Sequence, residues 1–314
     1  MDQMTSKERI INALHNKEVD RLPFCPFLAY VWEHFPKEIT DKGQLAFIKE
    51  VGADPLWRGS DCPVKQTVKG AEVKTYVQDG KIYTKTITPV GELLSYHVRT
   101  DISNSTFWVG HPLQTEEDYK IQMWIEEHTE FEYNLEPAAY VNAMEGLALG
   151  MLLPRGGSAF QQLVEDFVGT EKLALDLYDF PDTVESLLEI AIENDLKAVR
   201  MAAESAYDYF LTFENSSTTN YSPALYKKYI SKEIKSITSI LKQYNKFYVQ
   251  HACGHVKALL PIMKADGVFA IDSLSPMPTG NISLRDARAI LGGEVGIIGG
   301  IEPIHFLNLS LEEL

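Results

Sequence analysis

Cysteine is scarce in this chain. Only Cys25, Cys62 and Cys253 occur among its 314 residues, and they lie far apart in the sequence. Proteins that rely on a disulfide framework carry an even number of cysteines at short spacings. The sequence therefore excludes such a framework and favours a reducing compartment.

A surplus of positive charge and long apolar stretches are also missing. Lysine and arginine total 29 against 44 acidic residues, which gives a formal charge of −15. A chain this acidic is poorly suited to general electrostatic binding of nucleic acid or anionic membranes. The sequence has no uncharged apolar run of about 18 residues and no signal-peptide core near its start. We therefore expect a cytoplasmic protein with neither nucleic acid nor membrane as a partner.

The remaining composition is that of an ordinary globular protein, with 45% hydrophobic and 23% charged residues. A length of 314 residues suits either two average domains or one α/β barrel. No internal repeat, low-complexity tract or interdomain linker is visible. We therefore expect residues 1–314 to form a single domain.

Helical patterns alternate with short apolar runs along most of the chain. A capping box at Thr5 and Glu8 predicts the start of the first helix. The apolar runs predict seven buried strands, at residues 24–28, 53–57, 149–154, 209–213, 247–251, 268–271 and 295–298. Strands that alternate with helices in this way are typical of a parallel sheet.

Residues 67–99 interrupt this alternation. The segment is rich in valine, isoleucine and tyrosine, and Asp79 with Gly80 is a strong hairpin signal. It predicts an antiparallel β insertion between two βα units, which would serve as a flap or lid.

Seven βα units and a helical pattern at the end of the chain predict a (β/α)8 TIM barrel without its last strand. The alternative is an open doubly wound sheet, but no glycine-rich nucleotide fingerprint follows the first strand. Barrel enzymes place their sites on the loops at the carboxyl ends of the strands. We therefore expect the polar residues at the predicted strand ends to face one bowl: Asp61, Cys62, Arg155, Glu214, His251, Cys253 and Asp272.

The most informative of these residues are His251 and Cys253, at the end of the run 247–251. Residues two apart in a strand point to the same side, so the imidazole and the sulfur converge if the strand geometry persists. Zinc binds such donors, and a thiol in its open position loses its proton and becomes a nucleophile. The alternative is structural, with Cys253 a small buried hydrophobe and His251 a hydrogen-bonded strand end.

The chain resembles a known family at four places. These are the opening residues 7–14, the motif 20–23, the dipeptide Ser222-Pro223 and the stretch 251–254, which reads His-Ala-Cys-Gly. Together they resemble the uroporphyrinogen decarboxylase superfamily. Within it, the His-x-Cys pair is similar to that of the cobalamin-dependent methyltransferases, of the methylcobalamin:coenzyme M and corrinoid O-demethylase types.

The resemblance implies a (β/α)8 barrel with a zinc site made of His251, Cys253 and a further cysteine near the final strand. No cysteine follows Cys253 in the sequence, so Glu214 is our candidate for the third ligand and Cys62 the alternative.

Three other residues at strand ends are candidate substrate contacts. We expect Arg155 to hold a substrate anion, Asp61 to contact substrate, and Asp272 either to contact substrate or to orient His251. Each could instead serve only the turn in which it lies.

The activity that the resemblance implies is zinc-dependent methyl transfer. The methyl group would move between methylcobalamin on a partner corrinoid protein and a small thiol, ether or amine. The alternative is a lyase similar to uroporphyrinogen decarboxylase, acting on a carboxylated substrate. Those enzymes carry arginines after the first strand, whereas residues 24–32 contain none. A third hypothesis is a non-catalytic protein that only binds a ligand.

Overall fold

The computed structural model of the protein describes residues 4–100, 105–302 and 304–313. The strands of this part of the chain are β1 (Leu56–Ser60), β2 (Val64–Val68), β3 (Glu72–Gln78), β4 (Lys81–Thr88), β5 (Gly91–Arg99), β6 (Thr106–Gly110), β7 (Thr129–Tyr133), β8 (Leu147–Met151), β9 (Tyr209–Phe213), β10 (Phe247–His251), β11 (Ala270–Leu274) and β12 (Gly296–Gly299).

The helices of the same residues are α1 (Ser6–Leu14), α2 (Lys37–Thr40), α3 (Gln44–Glu50), α4 (Glu116–Glu127), α5 (Leu135–Tyr140), α6 (Ala159–Gln162), α7 (Thr170–Asp179), α8 (Pro181–Ala203), α9 (Pro223–Leu225), α10 (Ser231–Gln243), α11 (Leu260–Ala265), α12 (Leu284–Leu291) and α13 (His305–Asn308). Single π-helical turns extend α6 over Leu163–Phe167 and join α9 to α10 over Tyr226–Ile230. None of the described helices is long and apolar enough to cross a membrane.

The central sheet is parallel and has the strand order β1-β8-β9-β10-β11-β12. An ion pair between distant strands shows that the sheet is strongly curled. Arg58 on the edge strand β1 contacts Asp272 on β11, four strands away in that order, with 2.8 Å between Nη1 and Oδ1. Helix α1 closes the amino-terminal end of the curl. Its Leu14 packs in one cluster with Leu149 and Leu211, residues of the adjacent strands β8 and β9.

The predicted TIM barrel, which was expected to lack only its last strand, is confirmed in part. The six parallel strands form a curled half-barrel, and residues 24–28, the first predicted strand, form no strand. Pro26 lies in the middle of that run and cannot donate a backbone hydrogen bond to a ladder. The run is held instead at Phe24, whose N–H donates to the Asp54 carboxylate (3.2 Å) and whose carbonyl accepts from the Asp54 N–H (2.7 Å).

The other six predicted strands are present. Strands β9 and β10 have the predicted bounds, and the others are displaced by a few residues. The antiparallel insertion is also present and extends beyond residues 67–99. It consists of the four-stranded sheet β3-β4-β5-β6 together with the pair β2-β7, and Asp79 and Gly80 form its first hairpin turn with positive φ.

A buried ion cluster ties helix α1 to the segment that precedes β1. The Arg9 guanidinium contacts Asp20 at 2.7 Å and Asp54 at 2.6 Å, and Arg21 contacts the other Asp54 oxygen at 2.7 Å. Burial raises the pKa of Asp54, but hydrogen bonds from Arg21, Ser6 and Arg9 outweigh it and hold the pKa below its ordinary value. The cluster therefore depends on an ionised Asp54.

Replacing Asp54 with asparagine should lower the free energy of unfolding by about 3 kcal/mol, because it removes one of the two carboxylates that neutralise the buried Arg9 guanidinium. The lowered pKa means that this contribution is present above about pH 4 and is lost as the pH falls through the folded-state value. Urea unfolding at pH 7 and at pH 3 measures both effects. Asp41→Asn, in the exposed pair with Lys37, is the control, and an equal loss there would contradict the prediction.

Candidate functional site

The site is built where β9, β10 and β11 end side by side. In the parallel register His251 pairs with Phe213 on one side and with Asp272 on the other. The Phe213 ring meets the imidazole edge to face, with 67° between the ring planes and 5.3 Å between centroids. The sheet register alone therefore brings an aromatic ring, an imidazole and a carboxylate together at the carboxyl edge.

His251 is held between Asp272 and Cys253. Its Nδ1 lies 2.7 Å from Asp272 Oδ2, and the ring also interacts with the Cys253 thiol. Burial lowers the pKa of His251, but the hydrogen bonds and charges of Asp272 and Cys253 raise it to about 9. Because Nδ1 is committed to Asp272, Nε2 is the ring nitrogen that remains for another partner.

Asp272 is shared between two cationic groups. Its second oxygen accepts from Arg58, and Arg58 also donates to the Ser273 hydroxyl at 3.2 Å. Burial raises the pKa of Asp272, whereas His251 and Arg58 lower it, and the net effect is a pKa below the ordinary value. The Arg58 guanidinium lies 4.0 Å from the centre of the Phe27 ring, which completes its surroundings.

Sequence reasoning missed Arg58 as a member of the site. The available signal was its position at the end of a predicted buried strand, where an arginine is rarely found without a partner.

Asn215 is the second residue that sequence reasoning missed. Its side-chain oxygen lies 3.7 Å from the Cys253 sulfur, and its amide nitrogen donates to both Glu165 oxygens at 2.8 and 2.9 Å. Its φ of 42° is one that asparagine tolerates better than most residues. The loop after β9 is thereby fixed against the thiol.

The loop after β10 also has a local requirement. Gly254 has φ +109°, and a Cβ there would come within 3.0 Å of the Ser217 hydroxyl. Only glycine suits this backbone, so the His-Ala-Cys-Gly sequence ends in a turn that positions Cys253.

Glu214, our candidate third ligand, is not brought to this pair. Side chains alternate along a strand, so Phe213 faces His251 and Glu214 faces the helices. The Glu214 carboxylate is fully buried and accepts from the Ser158 hydroxyl at 2.6 Å and the Ser158 N–H at 3.0 Å. Burial raises its pKa.

Asp61 and Cys62 also lie outside the pair. Asp61 is exposed after β1, and the Cys62 thiol lies 3.8 Å from the Leu152 carbonyl oxygen. Burial raises the pKa of Cys62 to about 11, so it is a neutral thiol.

Arg155, expected to hold a substrate anion, makes its contacts inside the protein. It forms ion pairs with Glu126 and, at 3.0 Å, with Asp195. Within the described residues, no three His, Cys, Asp or Glu side chains are grouped so as to hold a metal ion. The structure thus assembles two potential donors, His251 and Cys253, with Asp272 behind the first.

Residues 159–314, which carry this pair, match the sequence model of uroporphyrinogen decarboxylase (URO-D). The chain belongs to the uroporphyrinogen decarboxylase superfamily. The resemblance to this superfamily is thereby confirmed, and two of the four segments that carry it, Ser222-Pro223 and residues 251–254, lie within the matched range.

The chain is also similar to a solved structure, that of a methyltransferase from Methanosarcina mazei. The two share 16% sequence identity with a TM-score of 0.55, over 95% of this chain and 83% of the other. At that identity the likeness is one of fold. No curated protein matches the chain in sequence.

Replacing Asp272 with asparagine should lower the pKa of His251 from about 9, because the carboxylate that stabilises the imidazolium is removed. In the wild-type protein, protonated His251 stabilises the folded state at pH values below its unfolded-state pKa near 6.5. This stabilisation is lost as the pH rises through 9, the folded-state pKa. NMR titration of the His251 ring in chelator-treated protein measures the change. An unchanged pKa in the variant would show that the Asp272 charge does not control the imidazole.

Proposed function

We propose that this protein is a zinc-dependent methyltransferase that moves a methyl group between a corrinoid protein and a small thiol, ether or amine. The observation that carries the proposal is the arrangement Asp272–His251–Cys253 at the carboxyl edge of the curled sheet. Membership of an enzyme superfamily and a fold shared with a methyltransferase support it.

The donors fit zinc in type and in their surroundings. Imidazole nitrogen and thiolate are ligands that zinc prefers, and a metal-bound histidine commonly donates its other ring nitrogen to a carboxylate. Asp272 provides that carboxylate at 2.7 Å. The remaining ligands would come from water or from substrate. When bound, zinc supplies a Lewis acid that favours the deprotonated thiol or polarises a methyl donor.

The residues around the pair have distinct roles in this proposal. Asp272 fixes the ring of His251, and Arg58 keeps Asp272 ionised and in place. Asn215 holds the loop beside the Cys253 sulfur. Phe213 lines the site with an apolar surface that would limit the access of water to a reactive thiol.

A corrinoid protein that carries methylcobalamin would dock at this edge of the sheet, with the transferred methyl group facing the pair. The acidic chain would meet that partner through local patches. We propose the cytoplasm as the compartment, since free thiols persist there.

A lyase acting on a carboxylated ring receives less support. Such a substrate needs cationic side chains that are free to bind it. Arg58 is close to the pair, but it is neutralised by Asp272 at 2.8 Å and is 14% exposed. Arg155 is committed to Glu126 and Asp195.

The purified protein should contain bound zinc, and Cys253→Ser should weaken zinc binding at least about tenfold, because a neutral hydroxyl replaces a thiolate ligand. Metal content after gel filtration and competition with a chromogenic chelator measure the effect. Cys62→Ser is the matched control, because that half-buried thiol faces the Leu152 carbonyl. Equal zinc affinity in the two variants would contradict the assignment of Cys253 as a ligand.

Zinc-loaded protein should accelerate transfer of the methyl group from methylcobalamin to 2-mercaptoethanol. The loss of the methylcobalamin absorption band reports the rate. Cys253→Ala should slow this reaction about a hundredfold, since several kcal/mol of transition-state stabilisation depend on the metal. The proposal of methyl transfer at this site is wrong if the wild-type protein gives no rate above that of buffer alone, or if the alanine variant retains full activity.

A further inference from the structure

A second pocket lies between the antiparallel insertion and the segment that follows β8. Its volume is about 290 Å³, close to the lower end for small-molecule sites. Its wall includes Ser95 and Trp108 from the insertion, and Arg155, Asp166 and Phe167 from the other side. Neither His251 nor Cys253 lines it, so it is separate from the site described above.

Two charged side chains line the pocket, Arg155 and Asp166. Arg155 is a cation on the wall, but its two terminal nitrogens donate to the buried carboxylates of Glu126 and Asp195. Asp166 is the carboxylate on the wall, and it accepts from the Trp108 indole. Because Glu126 and Asp195 balance the charge of Arg155, Asp166 is the charge that a ligand in the pocket would meet, and a cation complements it best.

The pocket wall also carries two aromatic rings, Trp108 and Phe167. Aromatic faces attract organic cations, and the attraction increases where water is displaced. Ser95 is 8% exposed and adds a buried hydroxyl that can bond a polar group of the ligand. A carboxylate beside aromatic surfaces is the combination that recognises protonated or methylated amines.

We propose that this pocket binds a small organic cation, a protonated or quaternary amine, between Asp166 and the rings of Trp108 and Phe167. The proposal stands on the cavity, its charge and its aromatic walls. It requires neither zinc at His251 and Cys253 nor methyl transfer.

Binding of the cation is expected to depend on pH through Asp166. Burial and the charge of Glu165 raise the pKa of Asp166 to about 6, against the lowering effects of the Trp108 hydrogen bond and of Arg155. The titratable His111 also packs against this segment, and its Nδ1 lies 3.1 Å from the Asp166 carbonyl oxygen. The carboxylate is therefore mostly ionised at pH 8 and mostly neutral at pH 5.

The test is calorimetric titration of the full chain with tetramethylammonium chloride at constant ionic strength, with tert-butanol as the neutral probe and sodium acetate as the anion. We expect saturable binding of tetramethylammonium alone. Asp166→Asn should weaken it at least about tenfold, because the opposing charge is lost. Asp179→Asn, which removes an exposed carboxylate at the end of α7, should leave the affinity unchanged.

A second measurement covers the case in which Asp166→Asn does not fold. Wild-type affinity for tetramethylammonium should fall about tenfold between pH 8 and pH 5, since only about a tenth of the carboxyl groups are ionised one unit below their pKa. Preferential binding of acetate, equal binding of tert-butanol, or no saturable binding of tetramethylammonium would each overturn the proposal. Zinc content and methyl transfer are measured separately, so this failure would leave the proposed function untouched.

Discussion

The Asp272 carboxylate is the interaction on which the functional half of the structure depends. One of its oxygens accepts from Arg58 on the edge strand β1, and the other faces His251 on β10. A fully buried carboxylate is stable only when it is paired and hydrogen-bonded. The contact of Asp272 with Arg58 therefore links β1 to β11 across the curled sheet, and its contact with His251 sets the orientation of the imidazole.

A second buried charge cluster behind the sheet explains why two expected site residues are absent from the bowl. Glu214, Glu233, Asp195 and Glu126 lie within this layer, with Arg155 as their cation. Burial, together with the charges of Asp195 and Glu214, raises the pKa of Glu233 well above its ordinary value, and Glu233 hydrogen-bonds Asp195. A proton held on Glu233 reduces the repulsion among these acids, so Arg155 and Glu214 can both be held in the layer.

The sequence predicted those parts of the fold that follow from local pattern. Strands β9 and β10 have the predicted bounds because each is an apolar run between clear helix signals, and Asp79 with Gly80 fixes the insertion's first turn. The strand predicted at residues 24–28 failed because Pro26 and the contacts of Phe24 with Asp54 outweigh its apolar character. Such contacts join residues about 30 positions apart, which periodicity does not report.

The candidate site was predictable only in part, for a related reason. His251 and Cys253 were found from their spacing in one segment, and Asp272 from its position after the next strand. Glu214 was expected beside them because it also ends a strand. Its side chain points to the opposite face of β9, which one residue of register decides. Arg58 could be placed only once the curl of the sheet was known, since its partner lies 214 residues away.

The π-helical turn at Leu163–Phe167 relates the two sites to each other. Insertion of an extra residue into a helix shifts the following side chains around its axis, and such turns are frequent at functional sites. Glu165 is turned towards Asn215, which contacts Cys253, whereas Asp166 is turned towards Trp108 and the second pocket. Adjacent carboxylates on one turn thus support the thiol on one side and supply charge to the pocket on the other. A regular α-helical turn would change this division, so the local helix geometry is part of how both sites are built.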